Sequence, residues 1–284
     1  MPLLTIDHVK KVFPVKNGAG GEVIKDFHCE VEEGQFVSIL GPSGCGKTTI
    51  LSIIGGFQEC TEGRITLDGR EIKGPCVERG YVFQNYALFP WMNVRKNILY
   101  SLKMQKVPKK EQEKRLRELL EMAHLEGHEK KYPIQLSGGM QQRVAVLRAL
   151  AGRPRILLLD EPFGAVDFQM REIMQNELDS LIRNARITVV MVTHDVSESA
   201  FLSDRVLVMQ SNGGELLADV KIDLDRPRDR TSPQFKSHVN NLTDLVRKAF
   251  NYKQKDRKQP PKTSKSRLAC LSADRRPRQK RSLL

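Results

Sequence analysis

The chain has 284 residues and is short of cysteines, aromatics and long apolar runs, and each shortage excludes a class of protein. Its five cysteines, Cys29, Cys45, Cys60, Cys76 and Cys270, form no C-x-x-C pair, and an odd number does not suit a closed disulfide framework. A reducing cytoplasm is the expected setting. The uncharged stretch Tyr81 to Val94 contains Gln84, Asn85, Pro90 and Asn93. It is too polar, and well below the about 20 apolar residues a membrane span requires. The opening MPLLTIDHVKK lacks a basic segment followed by an apolar one, so no secretory signal is expected. Aromatics make up 6% of residues, and none follows Tyr252.

What the chain does have is positive charge, a net +13, concentrated at one end. From Lys253 onward there are twelve Lys and Arg against Asp256 and Asp274, which leaves the first 252 residues at +3. Residues 253–284 read as a disordered basic tail, and without aromatics for base stacking a solvated tail is expected rather than a nucleic-acid arm. The 39% hydrophobic content suffices for a sizeable core in the rest.

Phe36 to Gly56, FVSILGPSGCGKTTILSIIGG, joins a buried-strand run to an apolar helix through a glycine-rich turn. Gly41, Gly46, Lys47 and Thr48 fit the phosphate-loop pattern G-x-x-x-x-G-K-[ST]. Glycine lets successive backbone N–H groups curl around an anion, and the helix N-terminus adds its positive end. Lys47 is placed to reach outer phosphates and the Thr48 hydroxyl to ligate Mg²⁺. Cys45, inside this loop at a helix N-terminus, reads as a favoured thiolate. Its alkylation is expected to block nucleotide binding, with bound ATP protecting it.

Elsewhere the expected elements alternate. Leu4, Ile6 and Val9, then Val23 to Val31, form strands, and Phe13 closes the first, where its ring can stack on a base or simply pack. Gly80–Asn85 is a buried strand ending in the polar pair Gln84–Asn85, where Gln84 can contact a metal or water beside the phosphates or simply cap. Residues 93–152 turn helical, with Leu116, Leu119, Leu120 and Ala123 on one face of 109–126. In LSGGMQQRVAVLRALAG, Ser137 caps a helix with the stripe Met140, Val144, Leu147 and Ala151, and its two glycines make a second candidate anion site. RILLLD (155–160) and ITVVMVT (187–193) are central strands buried on both faces, ending at Asp160–Glu161 and at His194. Carboxylates at such strand ends hold Mg²⁺ and orient an attacking water. RVLVM (205–209) pairs through Asn212-Gly-Gly214 with 215–220, and Pro233–Phe250 is a Ser232-capped helix burying Phe235, Val239, Leu242, Val246 and Phe250.

With these residues in place, the chain resembles the ATP-binding subunit of an ABC transporter over about residues 3–250. GPSGCGKT (41–48) is similar to the Walker A loop, Gln84 to the Q-loop residue, and LSGGMQQ (136–142) to the family signature. ILLLDE (156–161) is similar to Walker B with its glutamate, 164–167 to the D-loop, and His194 to the switch histidine. GPCVERGYVFQ with LFPW, DEPFGAVD and DRPRDR (225–230) resemble the nitrate/sulfonate/taurine importer subfamily. IGGF (54–57) and AVDFQMRE depart from its usual AGL and ALDALTRE, which spares the catalytic positions and leaves the solute open.

The resemblance implies an α/β P-loop NTPase fold over 1–252, with a RecA-like core, an antiparallel β subdomain and a helical signature subdomain at about 93–152. It implies ATP and Mg²⁺ as cofactors. ATP would lie on Phe13 as adenine platform and on Gly41, Pro42, Ser43, Gly44, Cys45, Gly46, Lys47, Thr48 and Thr49. Ser137, Gly138, Gly139, Gln142 and Asp167 of a second copy would close over it. Glu161 would polarise water, His194 sense the γ-phosphate, and Thr48, Gln84 and Asp160 form the Mg²⁺ shell. The implied partners are a homodimer mate, a membrane permease docking near Gln84–Trp91, and indirectly a periplasmic binding protein, with the subunit peripheral on the cytoplasmic face of the membrane. The competing expectation is a soluble ABC ATPase acting on ribosomes or DNA, but such chains usually carry two cassettes or long coiled-coil insertions, and neither is visible here.

Overall fold

The computed structural model describes residues 2–14, 21–164, 168–211 and 213–256. Among them the apolar runs form two sheets. Strands β1 (Leu4–Phe13), β2 (Gly21–Val31), β4 (Glu62–Leu67) and β5 (Arg70–Glu71) make an antiparallel sheet in the order β2-β1-β4-β5. Strands β3 (Phe36–Leu40), β6 (Arg79–Val82), β7 (Ile156–Asp160), β8 (Thr188–Thr193), β9 (Arg205–Met209) and β10 (Leu216–Lys221) make the second sheet, in the order β10-β9-β3-β8-β7-β6. Five of its strands are parallel, and β10 closes the edge as the antiparallel arm of a hairpin.

Every residue of β3, β7 and β8 is buried. Alternate side chains of a strand point to opposite faces, and here they feed two separate cores. Leu157, Leu159, Val189 and Met191 join one cluster, and Ile156, Leu158, Val190 and Val192 join the other. The second cluster holds α1 (Lys47–Gly55) and the inner face of the antiparallel sheet. The first holds the helical layer of α2 (Val94–Met104), α3 (Lys109–Met122) and α4 (Gly138–Ala151), together with α5 (Phe168–Ala185), α6 (Val196–Leu202) and α7 (Pro233–Asp256). Asn93 caps α2 through a bond from Lys96 N, and Gly152 ends α4.

The C-terminal helix departs from expectation twice. Ser232 Oγ caps it, accepting from Phe235 N at 3.1 Å, and Phe235 and Leu242 are buried. After half-buried Val246, however, the buried position is Ala249, while Phe250 is 52% exposed. With 3.6 residues per turn the inward face advances by three here rather than four. The helix also continues through Asp256, past the expected boundary at 253, and 257–284 lie outside the described residues. Among the described residues no helix is long and apolar enough to cross a membrane.

Candidate active site

The strand order β3-β8-β7-β6 brings four C-terminal ends to one edge, where open parallel sheets bind ligands. β3 runs directly into the phosphate loop and α1. Two glycines there are required by geometry. A Cβ on Gly41 would sit 2.9 Å from the carbonyl oxygen of Met209, and Gly46 has φ +104°, a conformation other residues rarely adopt. Lys47 is buried and donates from Nζ to the carbonyls of Gly41 (2.8 Å) and Pro42 (2.9 Å). Its charge therefore sits on the loop that receives the phosphates.

Thr48 Oγ1 donates to Asp160 Oδ1 at 3.1 Å, and Tyr81 donates from its hydroxyl to Oδ2 at 3.2 Å. Burial raises the Asp160 carboxyl above its ordinary range, the Glu161 charge adds to the rise, and Thr48, Tyr81 and Lys47 pull it back. The donor set of hydroxyl, carboxylate and the Gln84 amide consists of hard oxygens, which fits Mg²⁺, and a divalent cation would favour the Asp160 anion that burial disfavours. Tyr81 was not legible as a site residue. Only the parallel pairing of β6 with β7, which sets Tyr81 opposite Leu158, carries its ring to the carboxylate.

One residue on, Glu161 has φ +43°, an unusual conformation for a residue with a side chain, held by a bond from its own N–H to Val192 O at 3.0 Å. The turn aims its carboxylate at two groups from neighbouring strands. Glu161 Oε2 lies 3.3 Å from His194 Nδ1 and 3.5 Å from Gln84 Nε2. Gln84, Glu161 and His194 thus converge as expected, although β6 ends at Val82 and Gln84 stands in the following turn.

The segment after His194 is tightly tied. Asp195 caps α6 by accepting from Glu198 N at 3.0 Å, and buried Glu198 accepts from Thr193 Oγ1 at 2.7 Å. Burial pushes the Glu198 carboxyl from an ordinary 4.5 up to about 7. The folded state therefore keeps a proton that the unfolded chain releases, so the contribution of this group is intact below pH 4.5 and is lost as pH rises through 7. The loss amounts to about 3 kcal/mol. Glu198→Gln, which keeps the acceptor and removes the charge, should raise the unfolding temperature at pH 8 by several degrees and by much less at pH 5. An equal difference at both pH values, measured by thermal unfolding, would contradict this.

Two expectations change, at Cys45 and Gln142. Cys45 is buried, and desolvation raises its thiol pKa against the pull of Lys47 and the loop N–H groups, so it is no favoured thiolate and alkylation of the folded protein should largely miss it. Gln142 is 2% exposed and gives its amide to Pro162 O at 3.0 Å, tying α4 to the turn after Glu161 rather than facing a nucleotide. Asp167 lies outside the described residues. Phe13 pairs with Gly21 at the end of β1, 37% exposed, with Lys11 Nζ 5.0 Å from its ring centre.

The signature turn is built to face outward. Ser137 caps α4, accepting from Met140 N at 3.3 Å. A Cβ on Gly138 would meet nothing within 4 Å, whereas one on Gly139 would meet Met174 of α5 at 3.3 Å. Ser137 and Gly138 are thus exposed to solvent, whereas Gly139 is buried against α5.

A family model described as ABC transporter matches residues 24–164. The chain is 47% identical over 251 residues to an uncharacterized ABC transporter ATP-binding protein of Methanocaldococcus jannaschii, covering 87% of this chain and 94% of that protein. It is 45% identical over 215 residues to an aliphatic sulfonates import ATP-binding protein of Bacillus licheniformis, covering 76% and 83%. An ATP-binding cassette solved as a dimer in a post-hydrolysis state with ADP and Pi superposes with a TM-score of 0.65 at 32% identity, over 78% of this chain and 100% of that one. The chain belongs to the ABC transporter family, as one of its ATPase subunits.

Proposed function

We propose that this subunit works as a homodimer that hydrolyses ATP to drive a membrane permease importing nitrate, a sulfonate, taurine or a related small solute. The observation that supports the dimer most directly is the division of labour within one copy. Lys47, Thr48, Asp160, Glu161 and His194 form one half-site, and the open Gly138 turn, packed on α5, is a second half facing outward. Two copies arranged head to tail would pair each half with its complement. The relative solved with ADP and Pi is itself a dimer.

In that arrangement the phosphate loop holds ATP and Lys47 exchanges loop carbonyls for phosphate oxygens. Thr48, Asp160 and Gln84 would hold Mg²⁺, which supplies charge neutralisation for the departing phosphate. Glu161 accepts a proton from the attacking water, and His194, 3.3 Å from Glu161 Oε2, orders that carboxylate and meets the γ-phosphate.

The permease side is supported by an apolar groove beside the Q-loop turn. It has a volume of about 400 Å³ and is lined by Phe57, Tyr81, Phe83, Phe89, Tyr100 and Arg148. Arg148 holds the turn by donating to the carbonyls of Tyr86 (2.9 Å) and Ala87 (2.7 Å), and Trp91, 69% exposed, packs on Phe89 at the rim. A helix of the permease inserted here would bear on Gln84 and so on the hydrolytic centre, with the subunit peripheral on the cytoplasmic face of the membrane. Solute contacts would belong to the permease and binding protein, and the sulfonate-import relative supports the solute class.

Trp91→Ala should leave ATP hydrolysis by the isolated subunit within about twofold, because the indole is far more exposed than a core residue. It should abolish co-purification with its permease, or uncouple transport from hydrolysis. A fully coupled complex with Trp91→Ala would remove this surface from the proposal.

A further inference from the structure

The segment DRPRDR, residues 225–230, does no chemistry at the nucleotide site, yet all three of its arginines are tied to other elements of the fold. Arg228 has a 2% exposed side chain, and its Nη1 donates to three carbonyls, those of Ala200 (2.9 Å), Phe201 (2.9 Å) and Ser203 (2.7 Å). Arg226 Nη2 donates to Leu202 O at 2.6 Å and to Asp204 Oδ1 at 2.8 Å. Arg230 lays its guanidinium 3.5 Å over the Phe201 ring and donates to Gln175 Oε1 at 2.7 Å.

The carbonyl contacts fall on the C-terminal end of one short helix and its cap residue, while Asp204 and Gln175 lie outside it. A helix leaves its last carbonyls without partners, and in α6 those of residues 200–203 are taken by two guanidinium groups. Both cations also oppose the negative end of the helix. A purely structural cap would need far less. Burying Arg228 beside Arg226 pulls its pKa down to about 10, the sign of a costly placement.

The other end of α6 is where the chemistry begins. His194 directly precedes Asp195, the N-cap. Asp195 accepts from Arg171 Nη1 at 3.1 Å, its own N–H donates to Thr193 Oγ1 at 3.0 Å, and its carbonyl accepts from Ser199 Oγ at 3.1 Å. A helix of two turns fixed at both ends moves as a rigid body, so a shift at its C-terminus is delivered to the imidazole. We propose that Arg226 and Arg228 are positioning residues for ATP hydrolysis, holding α6 so that His194 Nδ1 stays in register with Glu161 Oε2. The inference rests on the role given to His194 above. The planar fork lets Arg226 and Arg228 each add a contact from the second terminal nitrogen, to Asp179 Oδ1 and Ile222 O respectively.

The test is a double-mutant cycle in the purified full-length ATPase, with kcat and KM for ATP measured alongside thermal unfolding. Arg228→Met should lower kcat by about 10- to 100-fold, the scale of a misplaced catalytic group, with KM unchanged. Arg228→Lys, with one compact donor group, should recover part of the loss. In a His194→Ala background, Arg228→Met should cost less than about twofold further, because the two residues act as one unit. If Arg228→Met does not fold, Arg226→Gln, at a site with a more exposed side chain, must show the same non-additivity with His194→Ala. Independent, multiplicative losses, or a folded Arg228→Met with full kcat, would overturn the inference while leaving His194 in place. Full kcat in His194→Ala alone would instead remove the role of His194, and the clamp would lose its purpose with it.

Discussion

Glu161→Gln should bind ATP as well as the unmodified protein while losing about 10²–10⁴-fold in turnover, the scale of general acid–base assistance. The substitution is nearly isosteric, and the groups that hold nucleotide lie on other side chains: Lys47 on the carbonyls of Gly41 and Pro42, and Thr48 on Asp160. An amide at position 161 still meets Gln84 and His194, so the unusual turn at φ +43° retains its side-chain contacts. What disappears is the group proposed to take the proton of the attacking water. Because the γ-phosphate bridges the copies in the proposed dimer, failure to cleave it should also make the dimer persist. Size-exclusion chromatography with ATP should then show a stable dimer for Glu161→Gln and a transient one for the unmodified chain. Unchanged turnover would remove Glu161 from the mechanism, and low turnover without a persistent dimer would break the link between hydrolysis and release.

The positions behind that prediction were legible in the sequence because each sits at a local boundary with its own chemical signature. A run such as RILLLD shows a strand buried on both faces, and the acid pair at its end has few other reasons to be there. Ser137 before two glycines and an apolar stripe announces a capped helix. Less legible were roles created by contact between distant segments. The Tyr81 hydroxyl reaches Asp160 only because β6 lies beside β7. Gln142 follows the signature glycines in sequence, but on the helix it faces inward to Pro162 O. Cys45 occupies a position that favours a thiolate by local rules, and burial then outweighs those rules. Phe250 was misplaced by one residue, because the helix register had drifted over four turns and a burial pattern read from spacing alone cannot choose between a step of three and a step of four.

Gly138→Asp should leave the monomer folded and able to bind ATP, yet abolish ATP-driven dimerisation and reduce turnover by at least about 10²-fold. Both halves of this expectation follow from where Gly138 sits. As the first residue of α4 it accepts a carboxylate favourably, because an acidic side chain complements a helix N-terminus, and a Cβ there meets nothing within 4 Å. Monomer stability should therefore hold or rise slightly. In a closed dimer the same carboxylate would face the γ-phosphate, where two unit charges about 5 Å apart in a partly desolvated interface repel by about 3 kcal/mol. That is about two factors of ten for a single pair of charges, and the terminal phosphate carries more than one. Gly139→Asp is the contrasting variant, since a side chain there runs into Met174 and should destabilise the monomer itself. Thermal unfolding separates the two substitutions, and light scattering with ATP in the Glu161→Gln background reads the dimer. A Gly138→Asp chain that still dimerises on ATP would mean that the signature turn does not meet the nucleotide of another copy, and the two half-sites would then have to be read as independent.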